Sequence, residues 1–339
     1  MRSRDIVRKA WQITQVHLKK LIWYGSVPAF FTIVVSSVYL AYQYHAFKTS
    51  ALFSPQHDSD VFGTAKTVWS VVASHPTTSI VLIVLGVLIL IGYILVPPIF
   101  NGTLIHALMK IKNYESIDGS LEIGVRRFFP MFEFGALTGS FSITTLFTES
   151  SFILRWWGEN VFFIALPIIL FIVAVGIIVT FLFTYAEYFI VLEDQGIMKS
   201  IGESTILVIS NLRKTFLIFI LILLISARII LNVVLVLIIP MLVVIVTSYF
   251  TSVFLSTIFF VIIGILGVGI LLSSSYLLGL FHVFTTAVWV LTFSVLVTKN
   301  NPEIKDIDLG KDTFKPQISS PTEKPKETSP HVVGQSLIV

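Results

Sequence analysis

The sequence predicts an all-α fold, a polytopic transmembrane helical bundle of about six spans, with seven as the alternative. Residues 215–298 contain only one charged residue, Arg228, and only one histidine, His282. A helix needs about 20 apolar residues to cross a bilayer, so this run is long enough for several crossings. Hydrophobic residues make up 55% of the 339 residues and charged residues 12%, against roughly 25% charged residues in soluble domains.

Composition also limits the chemistry. The chain has no cysteine, which excludes disulfides, thiolate metal sites and cysteine nucleophiles. The formal net charge of +4 is typical of cytoplasmic flanks that are attracted to anionic lipid. No basic patch interleaved with aromatic residues is present, so nucleic acid is not an expected partner.

The N-terminal region divides into a surface helix, a span and a loop. Residues 1–20 are rich in Arg and Lys and carry apolar residues at helical spacing, which predicts a basic amphipathic helix on the inner membrane surface. Residues 21–43 are apolar for too long to be the core of a signal peptide, so they are the expected first span, with the N-terminus cytoplasmic. Residues 44–77 are the external loop, and the spacing of its three histidines matches no compact metal motif.

The second span, residues 78–100, ends near the Pro97-Pro98 pair, where a helix kinks or stops. Lysine and arginine return in residues 101–130, which places this segment on the cytoplasmic side. Apolar residues at helical spacing predict short amphipathic helices along the interface there, carried by Leu104, Leu108, Ile111, Leu121 and Val125.

The third span, residues 131–151, is diluted by Gly, Ser and Thr. Small and hydroxylated residues let helices approach closely, so one interpretation is a buried packing helix and the other is the lining of a polar cavity. A short outer turn with Trp156 and Trp157 follows, and residues 160–191 form the fourth span with Glu187 near its inner end.

The two cytoplasmic segments echo each other. Each places an acidic turn, an amphipathic helix and a basic pair before the next span, which indicates a pseudo-repeat. The first copy contains Glu115, Ser120-Leu121-Glu122 and Arg126-Arg127, and the second contains Glu193, Ser200-Ile201-Gly202-Glu203 and Arg213-Lys214.

Residues 188–208, followed by Asn211 and a long apolar span, resemble the membrane domain found in some bacterial glycerophosphoryl diester phosphodiesterases and in related stand-alone polytopic proteins. In that family an acidic residue and a glycine close one helix, and a short helix with a conspicuous serine, here Ser204, precedes the fifth of six spans. The resemblance extends in general layout over residues 80–298. It implies the six-helix arrangement and no catalytic group, and the soluble phosphodiesterase domain that some members carry is not expected here.

The long apolar run divides in two ways. Residues 215–239 form one span that stops at Pro240. Hydroxyl clusters allow either two or three spans in the run, and we favour two, with residues 241–262 partly submerged near the outer face and residues 263–298 as the last span. Residues 21–298 are then the transmembrane domain, and the charged, proline-rich residues 299–339 are a disordered cytoplasmic tail.

Arg228 is the costly residue of this domain, because a guanidinium deep in a bilayer costs about 2.5 to 3.5 kcal/mol on insertion scales. Thr144 and Thr145 lie at its depth and Glu149 lies about one helical turn higher. We therefore predict an intramembrane polar cluster of these four residues, with Arg228 snorkelling alone to the outer headgroups as the alternative. His282 is expected to be a hydrogen-bonded packing residue.

No pair of carboxylates, nucleophile with a base, phosphate loop or metal spacing is present in the sequence. The expected protein is therefore not an enzyme and has no cofactor or metal. It is a multi-pass protein of the cell membrane that acts as a scaffold or accessory component of the envelope; a transporter or channel with a pathway along the third span and Arg228 is the alternative. Its expected partners are membrane lipids, and proteins that bind the cytoplasmic helices and the tail.

Overall fold

The computed structural model describes residues 3–48, 70, 73–74, 76–227 and 257–300. By its contacts the chain divides into Met1–Val297 and Thr298–Val339, and the fold presented here is that of the first unit. All regular elements in the described residues are α-helices, which confirms the predicted all-α class. The helices are α1 (Ser3–Lys48), α2 (Pro76–Lys112), α3 (Ser120–Arg126), α4 (Phe128–Gly139), α5 (Ile143–Trp156), α6 (Gly158–Leu182), α7 (Ala186–Leu192), α8 (Ile197–Ser210), α9 (Leu212–Ala227) and α10 (Thr257–Asn300).

Several helical segments are long and apolar enough to cross a membrane. Within the described residues they are Ser3–Tyr44, Ser79–Lys112, Gly158–Leu192 and Ile265–Lys299. Helices α8 and α9 together are also long and apolar enough to cross a membrane, but they meet at an angle of 97°. They make a fifth span if this bent pair counts as one. The chain is therefore membrane-associated. Residues 241–256 of the segment predicted near the outer face and residues 301–339 of the predicted tail lie outside the described residues. Residues 257–262 and 299–300 belong to α10, which begins before and ends after the predicted last span.

The first helix differs from its prediction. Residues 1–20 do not form a separate surface helix, because α1 is unbroken from Ser3 to Lys48. In this part of α1, Ile6, Ala10 and Leu21 are buried in the protein core, whereas Trp11 is 44% exposed. The helix thus packs on other helices along one side, where the sequence predicts a helix on the membrane surface. Pro28 lies within α1 and removes one backbone donor.

The predicted third span is also different, because it is interrupted. Helix α4 ends at Gly139 and α5 begins at Ile143. Ser142 caps α5 by accepting a hydrogen bond from the backbone N–H of Thr145 over 3.2 Å, an interaction that favours a helix start over helix continuation. The two helices have 12 and 14 residues, so each alone is shorter than the roughly 20 residues that cross a bilayer.

Buried residues collect at one end of the bundle, which we call the core end. It is formed by the first half of α1, the last turns of α2, helix α7 and the second half of α10. Leu104, Leu108 and Ile111 belong to this core and not to an exposed interfacial face as predicted, because α1 and α3 cover the end of α2. Leu121 and Val125 of α3 are exposed, as that prediction requires.

Away from the core end, the described helices expose long apolar surfaces. Most of α2 between residues 80 and 95 is exposed, as is much of α6, including Ile164 and Phe171. A hydrophobic surface of this length suits the hydrocarbon of a bilayer. The fold thus joins a packed core end to helices with lipid-compatible flanks.

Two helix contacts fix α1 in the bundle. It runs antiparallel to α2, with the rings of Tyr24 and Phe100 5.9 Å apart. It crosses α10 where the Ser275 hydroxyl donates to the Ser26 carbonyl over 2.7 Å. A Cβ at Gly279 would lie 2.5 Å from the Ser26 Cα, so this crossing needs glycine. Such close approach of small residues is typical of membrane helix pairs.

Candidate functional site

The predicted intramembrane cluster is placed only in part. Arg228 lies outside the described residues, so its pairing with Glu149 stays a prediction. On α5, Thr144 and Glu149 are exposed and Thr145 is half-buried. The Thr145 hydroxyl donates to the Gly139 carbonyl over 2.9 Å, so this side chain stabilises the break between α4 and α5.

A polar contact that the sequence analysis did not find joins α5 to α1. The hydroxyls of Tyr39 and Thr148 lie 2.6 Å apart, and the Gln43 amide donates to Tyr39 Oη over 2.7 Å. On the same side, the Arg155 guanidinium lies 5.8 Å from the centre of the Tyr42 ring, within reach of a cation–π interaction. One hydroxyl of the predicted third span, that of Thr148, therefore contacts α1, and the choice between a packing helix and a cavity lining stays open.

The densest set of polar contacts lies at the core end, around the turn 183–185 that separates α6 from α7. A helix end leaves backbone groups without intrahelical partners, and buried ones require a substitute. The Ser204 hydroxyl of α8 accepts from the Tyr185 N–H over 3.0 Å and donates to the Leu182 carbonyl over 2.7 Å. Ser204 is completely buried. It therefore supplies both a donor and an acceptor to the interrupted helix.

Tyr185 extends this set toward α9 and α10. Its hydroxyl lies 3.2 Å from the Thr215 hydroxyl, and its ring packs edge-on to Trp289, with 5.8 Å between ring centres. A buried tyrosine needs a partner for its O–H while its ring fills apolar space. We call the residues Tyr185, Ser204, Thr215, Asn101 and Glu187 the inner junction.

The last two members of the inner junction link the helices that precede the two halves of the pseudo-repeat. The Asn101 amide of α2 donates to Glu187 Oε2 of α7 over 2.7 Å. A polar side chain inside an apolar helix bundle requires such a partner. Glu187 was predicted at the inner end of its span, and the structure supplies the partner.

An ion pair makes a second link between the halves. The Arg127 guanidinium, between α3 and α4, pairs with the Asp194 carboxylate. The hydrogen bond from Arg127 lowers the pKa of Asp194 below its usual value. Nearby, burial and the Glu203 carboxylate raise the pKa of Glu193, which accepts from the Gln195 amide over 2.9 Å.

Two of the histidines in the described helices, His106 and His282, lie in the apolar helices α2 and α10. His106 of α2 has its Nδ1 3.1 Å from the Ser120 hydroxyl, so it fastens α3 to α2. The backbone carbonyl of His282 accepts from the Thr286 hydroxyl over 2.8 Å. Among the residues that the structure covers, no group of three or more His, Asp and Glu side chains is arranged to hold a metal ion.

The inner junction was only partly visible in the sequence. Ser204 stood out through the family resemblance, and Glu187 through its place in an apolar span. Asn101, Tyr185 and Thr215 carried no signal, because their partners are distant along the chain.

Comparison with known proteins identifies no relative: no family model, curated protein or solved structure matches the chain. The likeness of residues 188–208 to the membrane domain of glycerophosphoryl diester phosphodiesterases therefore stays a hypothesis.

Proposed function

We propose that the chain is a non-catalytic, multi-pass protein of the cell membrane that serves as a scaffold or accessory component of the envelope. The observation that supports this most is how the inner junction uses its polar groups. Tyr185 bonds to Ser204 and Thr215, and Asn101 bonds to Glu187. Groups that satisfy one another inside a packed core stabilise a fixed arrangement of helices. Catalysis needs such groups aimed at a substrate.

The proposal places the core end and both termini in the cytoplasm. Basic residues flank the membrane segments at this end, which the positive-inside rule assigns to the cytoplasmic face. They include Lys19, Lys20, Lys110, Lys112 and Arg126.

Helices α3 and α8 then offer surfaces to partner proteins. Their small residues, including Gly124 and Ser204, face the bundle and are buried. Their outward faces carry exposed apolar side chains, including Val125, Ile206 and Ile209. Basic residues border these faces, namely Arg126, Lys199 and Arg213. Apolar anchors with a charged rim are typical of protein interfaces.

Site-specific photo-crosslinking in cells tests the scaffold. A photoreactive amino acid at position 209 replaces a side chain that is 62% exposed, whereas one at position 208 replaces a side chain that is 0% exposed. We expect adducts with defined proteins at position 209 and none at position 208. Adducts with lipid alone at position 209 would contradict a scaffold that binds through α8.

The second candidate function is a carrier or channel, and one observation favours it. Both α4–α5 and α6–α7 are interrupted helices, and discontinuous helices surround the substrate sites of many transporters. In this case the pathway runs along α5 toward Arg228, as the sequence analysis predicted.

Because the chain has no cysteine, single-cysteine variants separate the two functions. Thr144→Cys and Glu149→Cys place a thiol along the proposed pathway, and Phe171→Cys places one on an exposed apolar face of α6. A water-filled pathway predicts that a membrane-impermeant thiol reagent labels residues 144 and 149 but not 171. A scaffold predicts that position 144 is protected.

A further inference from the structure

A cleft opens at the core end between α1 and the loop that precedes α3. Its volume is 360 Å³, and it is lined by Lys20, Tyr24 and residues 117–121. Ligand pockets begin at about 300 Å³, so the cleft has room for a small polar group. Its lining carries one cation, Lys20, and one carboxylate, Asp118.

The cleft lies where the sequence predicts the inner membrane boundary. Lys20 directly precedes the predicted first span. Tyr24 packs against Phe100, at the end of the predicted second span, with 5.9 Å between ring centres. The neighbouring Trp23 is 66% exposed, and exposed Trp and Tyr side chains concentrate at the headgroup level of bilayers.

The loop that carries Asp118 is held in place by its own contacts. Lys110 Nζ donates to the Asp118 backbone carbonyl over 2.7 Å, and the Ser116 hydroxyl donates to Asp118 Oδ2. Ser120 is buried, with its hydroxyl 3.1 Å from His106 Nδ1. The carboxylate therefore stands on a loop held by hydrogen bonds, and Lys20 of α1 lines the same cleft.

We infer that this cleft binds the headgroup of a zwitterionic phospholipid with a primary ammonium group, phosphatidylethanolamine. The Lys20 ammonium faces the phosphate, and the Asp118 carboxylate accepts hydrogen bonds from the lipid ammonium. A purely anionic headgroup would place negative charge beside Asp118. A choline headgroup has no N–H to donate. The inference rests on membrane insertion with the core end at the inner boundary, and it holds for either proposed function.

Lipid titration of the full-length, delipidated protein in detergent, followed by native mass spectrometry, tests the inference. The lipids are phosphatidylethanolamine, phosphatidylcholine and phosphatidylglycerol with identical acyl chains. The wild type should prefer phosphatidylethanolamine over each of the others by about fivefold, the upper range for an exposed charge pair.

Two variants separate the roles of the charges. Asp118→Asn should remove the preference for phosphatidylethanolamine over phosphatidylcholine and leave the remaining affinity unchanged. Lys20→Gln should weaken binding of all three lipids. Glu115→Gln, in the same loop, and Lys19→Gln, on the same helix, remove charges that do not line the cleft and should behave as the wild type.

Other outcomes overturn the inference. A preference that survives Asp118→Asn, equal binding of phosphatidylglycerol and phosphatidylethanolamine, or equal effects of Lys19→Gln and Lys20→Gln would each refute the site. Displacement of the lipid by soluble O-phosphoethanolamine at equal affinity would refute a lipid as the ligand. Thermal unfolding of each variant, measured without lipid, distinguishes loss of the site from loss of the fold.

Discussion

Two helical hairpins of this protein, α2–α3 and α7–α8, hold their short helix in place in different ways. In the first hairpin, α2 turns at residues 113–119 into α3; in the second, α7 turns at residues 193–196 into α8. Each short helix folds back along the helix before it and ends at an interruption, Arg127 in the first hairpin and Asn211 in the second. The acidic turns and basic ends that suggested a pseudo-repeat thus correspond to similar local folds.

The hairpins differ in what holds the short helix in place. In the first, α3 approaches α2 so closely that a Cβ on Gly124 would overlap the Ile99 carbonyl and the Thr103 hydroxyl. In the second, the Ser204 hydroxyl bonds to the Tyr185 N–H and the Leu182 carbonyl. Along α2 the contact depends on close backbone approach, supported by the hydrogen bond between His106 and Ser120. The interrupted α6–α7 helix offers backbone groups that a hydroxyl satisfies.

The largest effect on stability is expected at Gly124, where α3 and α2 are in close backbone contact. Gly124→Ala forces a Cβ to within 2.9 Å of the Thr103 backbone nitrogen, and main chain cannot rotate away. We expect a loss of about 3 kcal/mol in the free energy of unfolding, measured by reversible unfolding in mixed micelles.

The matched control lies in the second hairpin. Gly202 of α8 has no atom within 4 Å of its added Cβ. Gly202→Ala should therefore stabilise the protein by about 0.5 to 1 kcal/mol through helix propensity. Equal changes in the free energy of unfolding for Gly124→Ala and Gly202→Ala would contradict this difference between the two hairpins.

The second prediction concerns the hydrogen bonds of the second hairpin. Ser204→Ala leaves the Tyr185 N–H and the Leu182 carbonyl without their partner and should cost about 2 kcal/mol. Ser200, on the same helix, is equally buried, but its hydroxyl makes only a long bond of 3.4 Å to the Gln195 carbonyl. Ser200→Ala should cost less than about 1 kcal/mol in the same unfolding assay. If both substitutions lower the free energy of unfolding equally, the two hydrogen bonds of the Ser204 hydroxyl do not stabilise the second hairpin.

The third prediction concerns the link between the hairpins. Asn101→Leu removes the donor to Glu187 and should cost about 1.5 kcal/mol, because a partly buried carboxylate loses its partner. Glu187→Gln keeps a hydrogen-bonding oxygen for Asn101 and should cost less. The double variant measures the coupling. Strict additivity in this cycle would argue against the contact.

The smallest effect is expected at the Arg127–Asp194 pair, because Asp194 is exposed and exposed pairs contribute about 1 kcal/mol or less. The pKa of Asp194 is lowered in the folded state from the usual 3.8. Its contribution is therefore present above this value and is lost as the pH falls below it. Thermal unfolding measured between pH 3 and 6, roughly spanning that titration, should show that the melting temperature of the wild type falls more with acidification than that of Asp194→Asn.

Asparagine is the suitable substitution, because Asp194 has a φ of 55° and Asn tolerates the left-handed region. Asp194→Ala should cost more than Asp194→Asn at neutral pH, since it also introduces backbone strain. If the melting temperatures of the wild type and Asp194→Asn fell equally on acidification, this would contradict a role for the Asp194 carboxylate.

The sequence predicted the parts of the fold that depend on local pattern. Long runs without charge indicate membrane helices, and the acidic and basic positions of the two hairpins predicted their similarity. The apolar positions of residues 1–20 are different, because the same helical spacing serves a helix that faces lipid or one that packs on protein, and only the structure shows Ile6 and Ala10 to be buried. The interruption at residues 140–142 depends on which backbone groups Ser142 can reach.

The candidate site was harder to predict for a related reason. Asn101 and Glu187 are 86 positions apart, and no local pattern links an amide in one apolar span to a carboxylate in another. For Glu149 the sequence provided a depth along its helix but not the direction of its side chain. Depth alone suggested Arg228 as its partner, and this pairing stays a prediction.

The crossing of α1 and α10 has a consequence for biogenesis. Ser26 and Ser275 are 249 positions apart, so at about 5 to 20 residues per second the ribosome makes the second serine about 12 to 50 s after the first. During that delay the face of α1 that carries Gly25 and Ser26 has no α10 to pack against. A nascent chain stalled or truncated before α10 therefore exposes this face without its partner helix.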